Sequence, residues 1–239
     1  MRTKLTIGAI ALSAVIAVAA LAVAATIEFG LWQGLTIVAA ATVVVMAFYR
    51  AAIRPWHSKW GATKEELERA MPGDGLLDAA SSTTRAISIA APPERIWPWL
   101  VQIGYGRAGW YSYDWIDNDG LPSADHIVSE LQGLEVGDTI PFIQDMGPRV
   151  KEMVPPRWIV CAGEEDTWCL ALYSVDNDHT RLVSRWRVAW NVTPASFLWI
   201  LISDPGAFLM EQKMLRGIKK RAERAAAESL REARIWSGR

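Results

Sequence analysis

The first fifty residues of the chain are almost continuously apolar, and Glu28 is the one charged residue between positions 5 and 49. Leu5–Ala25 spans 21 residues, which at about 1.5 Å of rise each can cross the hydrocarbon core of a bilayer. Leu31–Tyr49 is a second, slightly shorter apolar run, and the residues between the two runs are left to form a turn. The pattern therefore predicts a transmembrane helical hairpin within residues 1–50.

A cleaved signal peptide is the alternative interpretation of the first apolar run. Arg2 and Lys4 precede the run, and Ala22-Val23-Ala24 has the small-x-small pattern of a cleavage site. The run is longer than the about 7–15 residues of a signal-peptide core. Its length therefore favours an uncleaved helix.

Basic residues flank the two predicted spans on the same side of the membrane. Arg2 and Lys4 precede the first span, and Arg50, Arg54 and Lys59 follow the second. Because cytoplasmic loops are enriched in Lys and Arg, the pattern places both termini in the cytoplasm. We expect a multi-pass protein of the cytoplasmic (inner) membrane whose large domain lies in the cytoplasm.

Residues 51–82 are polar and are interrupted by prolines and glycines, which is typical of a connecting arm. The spacing Thr63-x-x-Glu66 matches a capping box, in which the two side chains bond the backbone at a helix start. It predicts a short helix over Lys64–Ala70.

A strand and a helix open the folded domain, which is predicted for residues 83–235. Thr84–Ala90 alternates weakly between apolar and polar positions, and two prolines follow it. Proline starts a helix at low cost, because its missing N–H would be unpaired there anyway. One apolar stripe at helical spacing should then lie on a sheet: Ile96, Trp97, Leu100 and Val101. Ser112–Asn118 and Ala124–Leu131 are predicted to be short helices.

Short runs separated by turn residues predict an antiparallel meander after position 150. Its strands are Val150–Val154, Arg157–Ala162, Thr167–Ser174 and Thr180–Trp190. Alternation predicts these inward residues: Trp158 and Val160; Trp168, Leu170 and Leu172; Leu182, Trp186, Val188 and Trp190. A long helix over Pro205–Ala233 follows, with an apolar stripe of Phe208, Leu215, Ile218, Ala222 and Ala225. The fold class is therefore α+β, with an antiparallel sheet against a long C-terminal helix.

Three arginines of the last strand, Arg181, Arg185 and Arg187, point away from the inward residues. They could hold an anionic ligand. On a sheet with one solvated face, however, such side chains are more often solvated or paired with acids. Solvation or pairing is the favoured interpretation.

Several segments resemble one known superfamily: APPERIWPWLVQIG, GWYSYDWIDN, VGDTIP and FLMEQKMLRGIKKRAE. Together they are similar to the SRPBCC superfamily, the helix-grip group that includes START and polyketide-cyclase proteins. The likeness covers about Thr83 to Glu223 and is greatest to bacterial members with an N-terminal membrane segment. It implies a helix-grip fold, in which an antiparallel sheet wraps around the long C-terminal helix. It also implies a hydrophobic small molecule or lipid as the ligand.

Motifs for catalysis are absent from the sequence, which has no GxSxG, HExxH, P-loop or CxxC pattern. Gly104–Gly109 spells GxGxxG, but a helix precedes it where the dinucleotide fingerprint needs a strand, so nucleotide binding is rejected. The three histidines are not spaced as metal ligands are, and we predict no metal and no cofactor. His126 is the best-placed general base, although a surface position is expected for it, and no catalytic residue is assigned.

Charge and thiol content narrow the function further. A formal net charge of -1 argues against a nucleic-acid partner. Cys161 and Cys169 would face each other across a hairpin if its loop had three residues. In a reducing cytoplasm they should remain thiols.

A ligand cavity between the sheet and the long helix is predicted to be mostly apolar with a few oriented polar groups. The proposed lining residues are Trp110, Tyr111, Tyr113, Asp114, Asp117, Trp168 and Trp186. The alternative is that these aromatic side chains fill the core completely. Three functions stay open: a membrane-anchored protein that binds or carries a hydrophobic small molecule or lipid, an enzyme of cyclase or dehydratase type, and a ligand-free module for a membrane partner. A displaced pKa on Asp114 or Asp117 would favour the enzyme.

Two segments are candidates for contact with the membrane surface. Phe197–Ile202 is six consecutive apolar residues, which a regular helix or strand cannot turn inward together. It either docks on the bilayer or is buried on both sides. Trp56 and Trp60 follow the second span, where indoles favour the headgroup layer. The alternative for both tryptophans is packing on the domain.

Overall fold

A computed structural model describes residues 17, 20–144, 146–189 and 194–237. The side chains of residues 194–202 and 230–237 lie outside the described part. The described chain is an α+β protein with a five-stranded antiparallel sheet and a C-terminal helix. This confirms the predicted fold class at that level.

The sheet consists of β1 (Ser81–Ile89), β2 (Arg149–Val154), β3 (Trp158–Ala162), β4 (Asp166–Ser174) and β5 (Thr180–Val188). Its strand order is β1-β5-β4-β3-β2, so the first strand pairs with the last. The predicted meander is confirmed over β2 to β5. Ahead of β2, the chain forms only isolated bridges, in which Thr139 pairs with Arg149 and Ile143 with Met146. Trp190 lies outside the described residues.

The helices before the sheet are α1 (Ala20–Phe29), α2 (Leu31–Phe48), α3 (Arg54–His57) and α4 (Lys64–Glu68). A π-helical turn, Tyr49–Ile53, joins α2 to α3, and the helical run Leu31–His57 is long and apolar enough to cross a membrane by length and composition. The first predicted span, Leu5–Ala25, lies largely outside the described residues. Gly30 separates α1 from α2 with a positive φ. Gly34 lies so close to the backbone of Thr26 in α1 that a Cβ would collide there.

Helix α4 begins with the predicted capping box, since Thr63 and Glu66 exchange both side-chain-to-backbone hydrogen bonds. Helix α5 (Pro93–Val101) begins at the predicted proline. Its most buried indole belongs to Trp99, which is 2% exposed, whereas the predicted Trp97 is only partly buried. Helix α6 is Asp114–Asp117. The helix predicted over Ala124–Leu131 is wrong, because only the 3-10 turn Ser129–Leu131 forms.

Helix α7 (Pro194–Ser237) covers one face of the sheet, called the inner face here. It begins eleven positions before the predicted start and passes through Pro205, which stands inside it. Its buried residues include four of the predicted stripe: Phe208, Leu215, Ile218 and Ala222. The core between α7, α5 and the sheet also contains Ile89, Leu100, Leu170 and Leu182.

The predicted orientation of β3 is wrong by one residue. Ile159 pairs with Leu170, and Cys161 pairs with Trp168, so Ile159 and Cys161 share the inner face. Trp158 and Val160 lie on the outer face instead. A shift of one residue moves every side chain of a strand to the other face, and β3 is apolar on both faces.

The two cysteines are therefore on opposite faces of the sheet. The Cys161 side chain is buried on the inner face of the sheet and the Cys169 side chain on the outer face, so they do not face each other across the hairpin. Both are free, and burial raises the pKa of each thiol to about 12.

The outer face is covered by the residues between the apolar helix and β1. Ser58 and Trp60 accept backbone hydrogen bonds from Thr84 and Ala86, which extends the sheet at its β1 edge. Met71 packs on the outer face with Ala86, Val160, Cys169, Ala171 and Val183. The predicted domain boundaries stay a prediction, but this arm is part of the folded structure.

The arginines of β5 hold this cover in place. Arg181 pairs with Glu66 through two bonds of 2.8 Å. Arg185 is buried, binds the Asp74 carboxylate at 2.8 Å, and donates to the backbone carbonyls of Arg69 and Glu66. The favoured interpretation, pairing with acids, is therefore confirmed for Arg181 and Arg185.

Candidate functional site

The segment from Trp110 to Asn118 crosses α7 and brings most of the predicted site residues together. Ser112 donates a hydrogen bond to the Met210 carbonyl at 3.0 Å. Further along α7, Gly217 leaves no room for a side chain beneath the Tyr111 backbone. The Arg221 guanidinium stacks 4.4 Å from the Tyr111 ring centre. These contacts fasten the segment against the helix.

Four aromatic rings form one cluster beside this segment. Trp110 and Phe142 lie in loops, whereas Trp168 and Trp186 are paired across β4 and β5. Neighbouring ring centres are 5.4 to 6.0 Å apart, which is contact distance for aromatic side chains. The Trp168 indole N–H is satisfied by Ser184 at 2.9 Å. Trp110 and Trp168 are buried, while Phe142 and Trp186 are only partly buried, so the cluster extends from the core to the surface.

Tyr111 has a structural role in this segment. Its backbone has a φ of 57°, a left-handed conformation that few residues other than glycine adopt. Its hydroxyl accepts a bond from Gln102 and donates to the Trp99 carbonyl. Burial raises the pKa of Tyr111 to about 12, so the phenol stays neutral. Tyr111 is a poor candidate for proton transfer at neutral pH.

Asp114 also holds the local backbone. Its carboxylate accepts hydrogen bonds from the Ser123 hydroxyl at 2.5 Å and from the Ser123 backbone N–H at 3.0 Å. The same hydroxyl accepts a bond from the Tyr111 N–H. Ser123 therefore links Asp114 to the backbone of Tyr111.

Asp117 differs from Asp114, the other carboxylate of this segment. It is 3% exposed, and neither of its oxygens has a hydrogen-bond partner among the described residues. Burial raises the pKa of Asp117 to about 6. The nearby Ser112 hydroxyl opposes this rise, although its hydrogen bond goes to the Met210 carbonyl, and the Asp114 carboxylate adds to the rise. A carboxyl group with such a pKa can both donate and accept a proton near neutral pH.

Tyr113 lies at the rim of the segment, where the Lys213 ammonium is 5.7 Å from its ring centre. His126 is exposed and contacts Asp125. Among the described residues, no cluster of three His, Cys, Asp or Glu side chains is arranged to hold a metal ion.

Two residues of this region were not predicted. Gln102 is fully buried and bonds Tyr111, His126, Val128 and Gln132. An amide at the end of an apolar helical stripe was the signal that would have found it. Phe142 completes the aromatic cluster, and its sequence context carries no comparable signal.

Fold and site together define an α+β protein in which a long helix and an aromatic segment cover one face of an antiparallel sheet. The sequence matches no protein-family profile. It also matches no curated protein.

Solved structures with a similar arrangement exist in several bacteria. They include a conserved protein of unknown function, EF2215, from Enterococcus faecalis, with 13% identity over 63% of this chain and 85% of that chain and a TM-score of 0.39. The Aha1 dimer from Colwellia psychrerythraea has 23% identity over 56% of this chain and 93% of that chain, with a TM-score of 0.32. CalU16 from Micromonospora echinospora has 17% identity over 61% of this chain and 86% of that chain, with a TM-score of 0.31. At such TM-scores and identities, no function carries over from these proteins to this chain.

Proposed function

We propose that this chain is a membrane-anchored helix-grip protein of the SRPBCC kind, which binds or carries a hydrophobic small molecule or lipid between α7 and the inner face of the sheet. The observation that carries the proposal is the buried, unpartnered carboxyl group of Asp117. Buried polar groups in native structures nearly always have a partner, and an isolated one calls for a ligand, an ion or a water. A ligand with one hydroxyl or amine group would supply the missing hydrogen bond.

The aromatic cluster supplies the apolar part of this proposed site. Binding sites for small molecules are mostly apolar and aromatic, with few oriented polar groups. Phe142 and Trp186 are the rings that reach the surface, and an apolar ligand would enter by displacing them. Trp186 is paired with Thr83 near the start of β1. Arg54, which follows the apolar helix, binds Ser81 at that same start, so the entrance is near the proposed membrane.

The proposed location is the cytoplasmic membrane, with two transmembrane helices in residues 1–50 and the domain in the cytoplasm. The apolar run Leu31–His57 supports an anchor, and the basic residues on both sides of the spans support the orientation. Reporter fusions at both ends test it. An extracytoplasmic signal from a fusion at Arg239 would overturn the orientation.

Native mass spectrometry of the full chain in detergent tests ligand binding. We expect wild-type protein to retain an apolar molecule at one copy per chain. Asp117→Ala and Trp186→Ala should lose this molecule. Two exposed residues provide matched controls: Asp178→Ala and Trp115→Ala should retain it. The proposal fails if no adduct is found, or if all four variants behave alike.

An enzyme of cyclase or dehydratase type is the second candidate, because the pKa of Asp117 is raised to about 6. Asp117 would then accept a proton from a carbon beside a carbonyl and return it to a leaving hydroxyl. A β-hydroxyacyl or poly-β-keto thioester is the substrate class to assay. Turnover that disappears in Asp117→Asn but persists in Asp178→Asn would establish the enzyme.

A ligand-free module for a membrane partner is favoured by one observation: each ring of the aromatic cluster contacts at least two of the other three. A packed cluster needs no ligand. The absence of any adduct from the wild-type protein would favour this function over the other two.

A further inference from the structure

Six side chains from three elements form a buried polar junction between the apolar helix and the domain. Tyr49 and His57 come from the helical run, Arg85 from β1, and Asp204 and Glu211 from α7, with Arg54 at the edge. The Tyr49 hydroxyl donates to Asp204 Oδ2 at 2.8 Å, and Arg54 Nε donates to the same oxygen at 3.2 Å. His57 is 1% exposed.

The hydrogen bonds of the junction form one chain. Arg85 donates to the His57 carbonyl at 2.9 Å and approaches His57 Nδ1 at 3.5 Å, and it also pairs with Glu211. A guanidinium can only donate, so Nδ1 is the acceptor and the imidazole proton lies on Nε2. Nε2 then donates a hydrogen bond to the Tyr49 hydroxyl at 2.8 Å, and that hydroxyl in turn donates a hydrogen bond to Asp204 Oδ2. Every member has a partner, so the junction is a rigid joint and not an open site.

The contacts along α7 show the relative direction of the two helices. Asp204 contacts Tyr49, Arg54 and His57, whereas Phe208, one turn later, contacts Trp56, His57 and Trp60. Residue numbers therefore rise in the same direction on both helices. Residues 194–203 of α7, about 15 Å of helix at 1.5 Å per residue, therefore precede the junction on the side toward α2.

Apolar side chains surround the outside of this junction. We call Phe48, Ile53, Trp56 and Leu209 the apolar collar. All four are exposed, Trp56 at 61% and Leu209 at 51%. Trp56 meets the edge of Phe208, the residue before Leu209 in α7, with 5.3 Å between the ring centres. The collar continues the exposed apolar surface of α2, to which Val43, Val44 and Val45 belong.

We propose that the apolar collar and the first turns of α7 lie in the phospholipid bilayer beside the end of α2, so that the domain is docked on the membrane at two places. This inference rests on the proposed anchoring of α2 in a membrane. The collar continues the exposed apolar surface of α2, which argues for lipid as the occupant. The six apolar residues Phe197–Ile202 belong to the first turns of α7, before the junction. An exposed indole and Arg50 suit the headgroup layer. The polar junction fixes this arrangement.

Spin labels on single introduced cysteines test the docking in the full chain, reconstituted in vesicles of phosphatidylcholine and phosphatidylglycerol. The native thiols are buried and stay unlabelled. Leu209→Cys reports on the collar, Val44→Cys on the anchor, and Leu121→Cys, an exposed leucine in another loop, is the matched control. We expect labels at 44 and 209 to be severalfold more accessible to oxygen than to a water-soluble nickel complex, and the label at 121 to show the reverse.

The outcomes separate the docking from the anchoring. If the label at 209 is as accessible to water as the label at 121 while the label at 44 lies in lipid, the docking is refuted and the anchoring of α2 is supported. A label at 209 shielded from both relaxing agents means protein contact, such as a second copy, and also overturns it. A water-accessible label at 44 refutes the anchor and the docking together.

Disruption of the junction tests its role. Asp204→Ala should move the label at 209 toward water while the label at 44 stays in lipid. Arg54→Gln removes the same ion pair and keeps the Tyr49 bond to Asp204, so it should have a smaller effect in the same direction. Glu223→Ala breaks a pair of α7 with Lys219 far from the junction and is the control. If the accessibility of the label at 209 is the same in both junction variants as in the wild-type background, the polar junction does not hold the domain on the membrane.

Discussion

Asp114 and Asp117 are one helical turn apart in α6, yet their carboxylates are in opposite environments. Asp114 accepts two hydrogen bonds from Ser123, whereas both oxygens of Asp117 are buried without a partner among the described residues. The hydrogen bonds of Asp114 hold the local backbone, whereas burial penalises the ionised carboxylate of Asp117. Replacing Asp117 with asparagine should therefore stabilise the protein, whereas the same replacement of Asp114 should destabilise it.

Asp117→Asn should raise the free energy of unfolding at pH 8 and leave it nearly unchanged at pH 4. The pKa of Asp117 is raised from 3.8 to about 6 in the folded protein. As the pH rises between these values, the unfolded chain loses the proton first, so the aspartate form loses stability by at most about 3 kcal/mol. Chemical denaturation of the full chain in detergent measures the difference at each pH. A pH-independent difference would contradict the prediction, and Asp178→Asn is the exposed control.

Asp114→Asn should destabilise the protein by about 1–3 kcal/mol, because the carboxylate that accepts two hydrogen bonds from Ser123 is lost. Ser123→Ala should have a similar effect, and the double variant should cost less than the sum, since both changes break the same contacts. Additive effects in this cycle would show that the two residues act independently.

Trp99→Ala should lower the free energy of unfolding by about 3–5 kcal/mol, as truncations of buried aromatic residues do. Trp99 is 2% exposed and packs edge-on against Tyr111, with 6.0 Å between the two ring centres. Trp97→Ala should cost less, because Trp97 is only partly buried. Trp115→Ala, at an exposed indole, should stay within about 0.5 kcal/mol. Equal losses at Trp97 and Trp99 would contradict the observed rotation of α5.

Arg185→Met should release the arm from the outer face of the sheet. The substitution removes the guanidinium from the Glu66 and Arg69 carbonyls and from the Asp74 carboxylate, which keeps the Met71 N–H. Because Asp74 is partly exposed, the loss should be about 1–3 kcal/mol. Limited proteolysis should then cut the arm near Gly73 much faster than in wild-type protein. Arg149→Met, at an exposed position of the edge strand β2, serves as control. Continued protection of the arm would show that its apolar contacts through Met71 suffice.

Local pattern predicted much of this protein, because helices and strands follow from the spacing of apolar residues. This spacing predicted the strands β2 to β5 and the buried stripe of α7. Local motifs predicted the capping box at Thr63 and the proline start of α5. The apolar run of α2 was readable from composition alone. Of the candidate site, the segment Trp110–Asp117 was identified as a group, but not the role of each member.

Relationships between distant parts of the chain were decided by the tertiary structure. The face of β3 depended on its register with β4, since Trp158 and Ile159 are both apolar and either could have faced inward. Asp114 and Asp117 are the same residue type one turn apart, and only the position of Ser123 makes one paired and the other isolated. His57 had no sequence signal, because its partners Tyr49, Arg85 and Asp204 come from separate elements. Periodicity determines which residues share a face of an element, whereas burial, pairing and pKa depend on what the fold packs against that face.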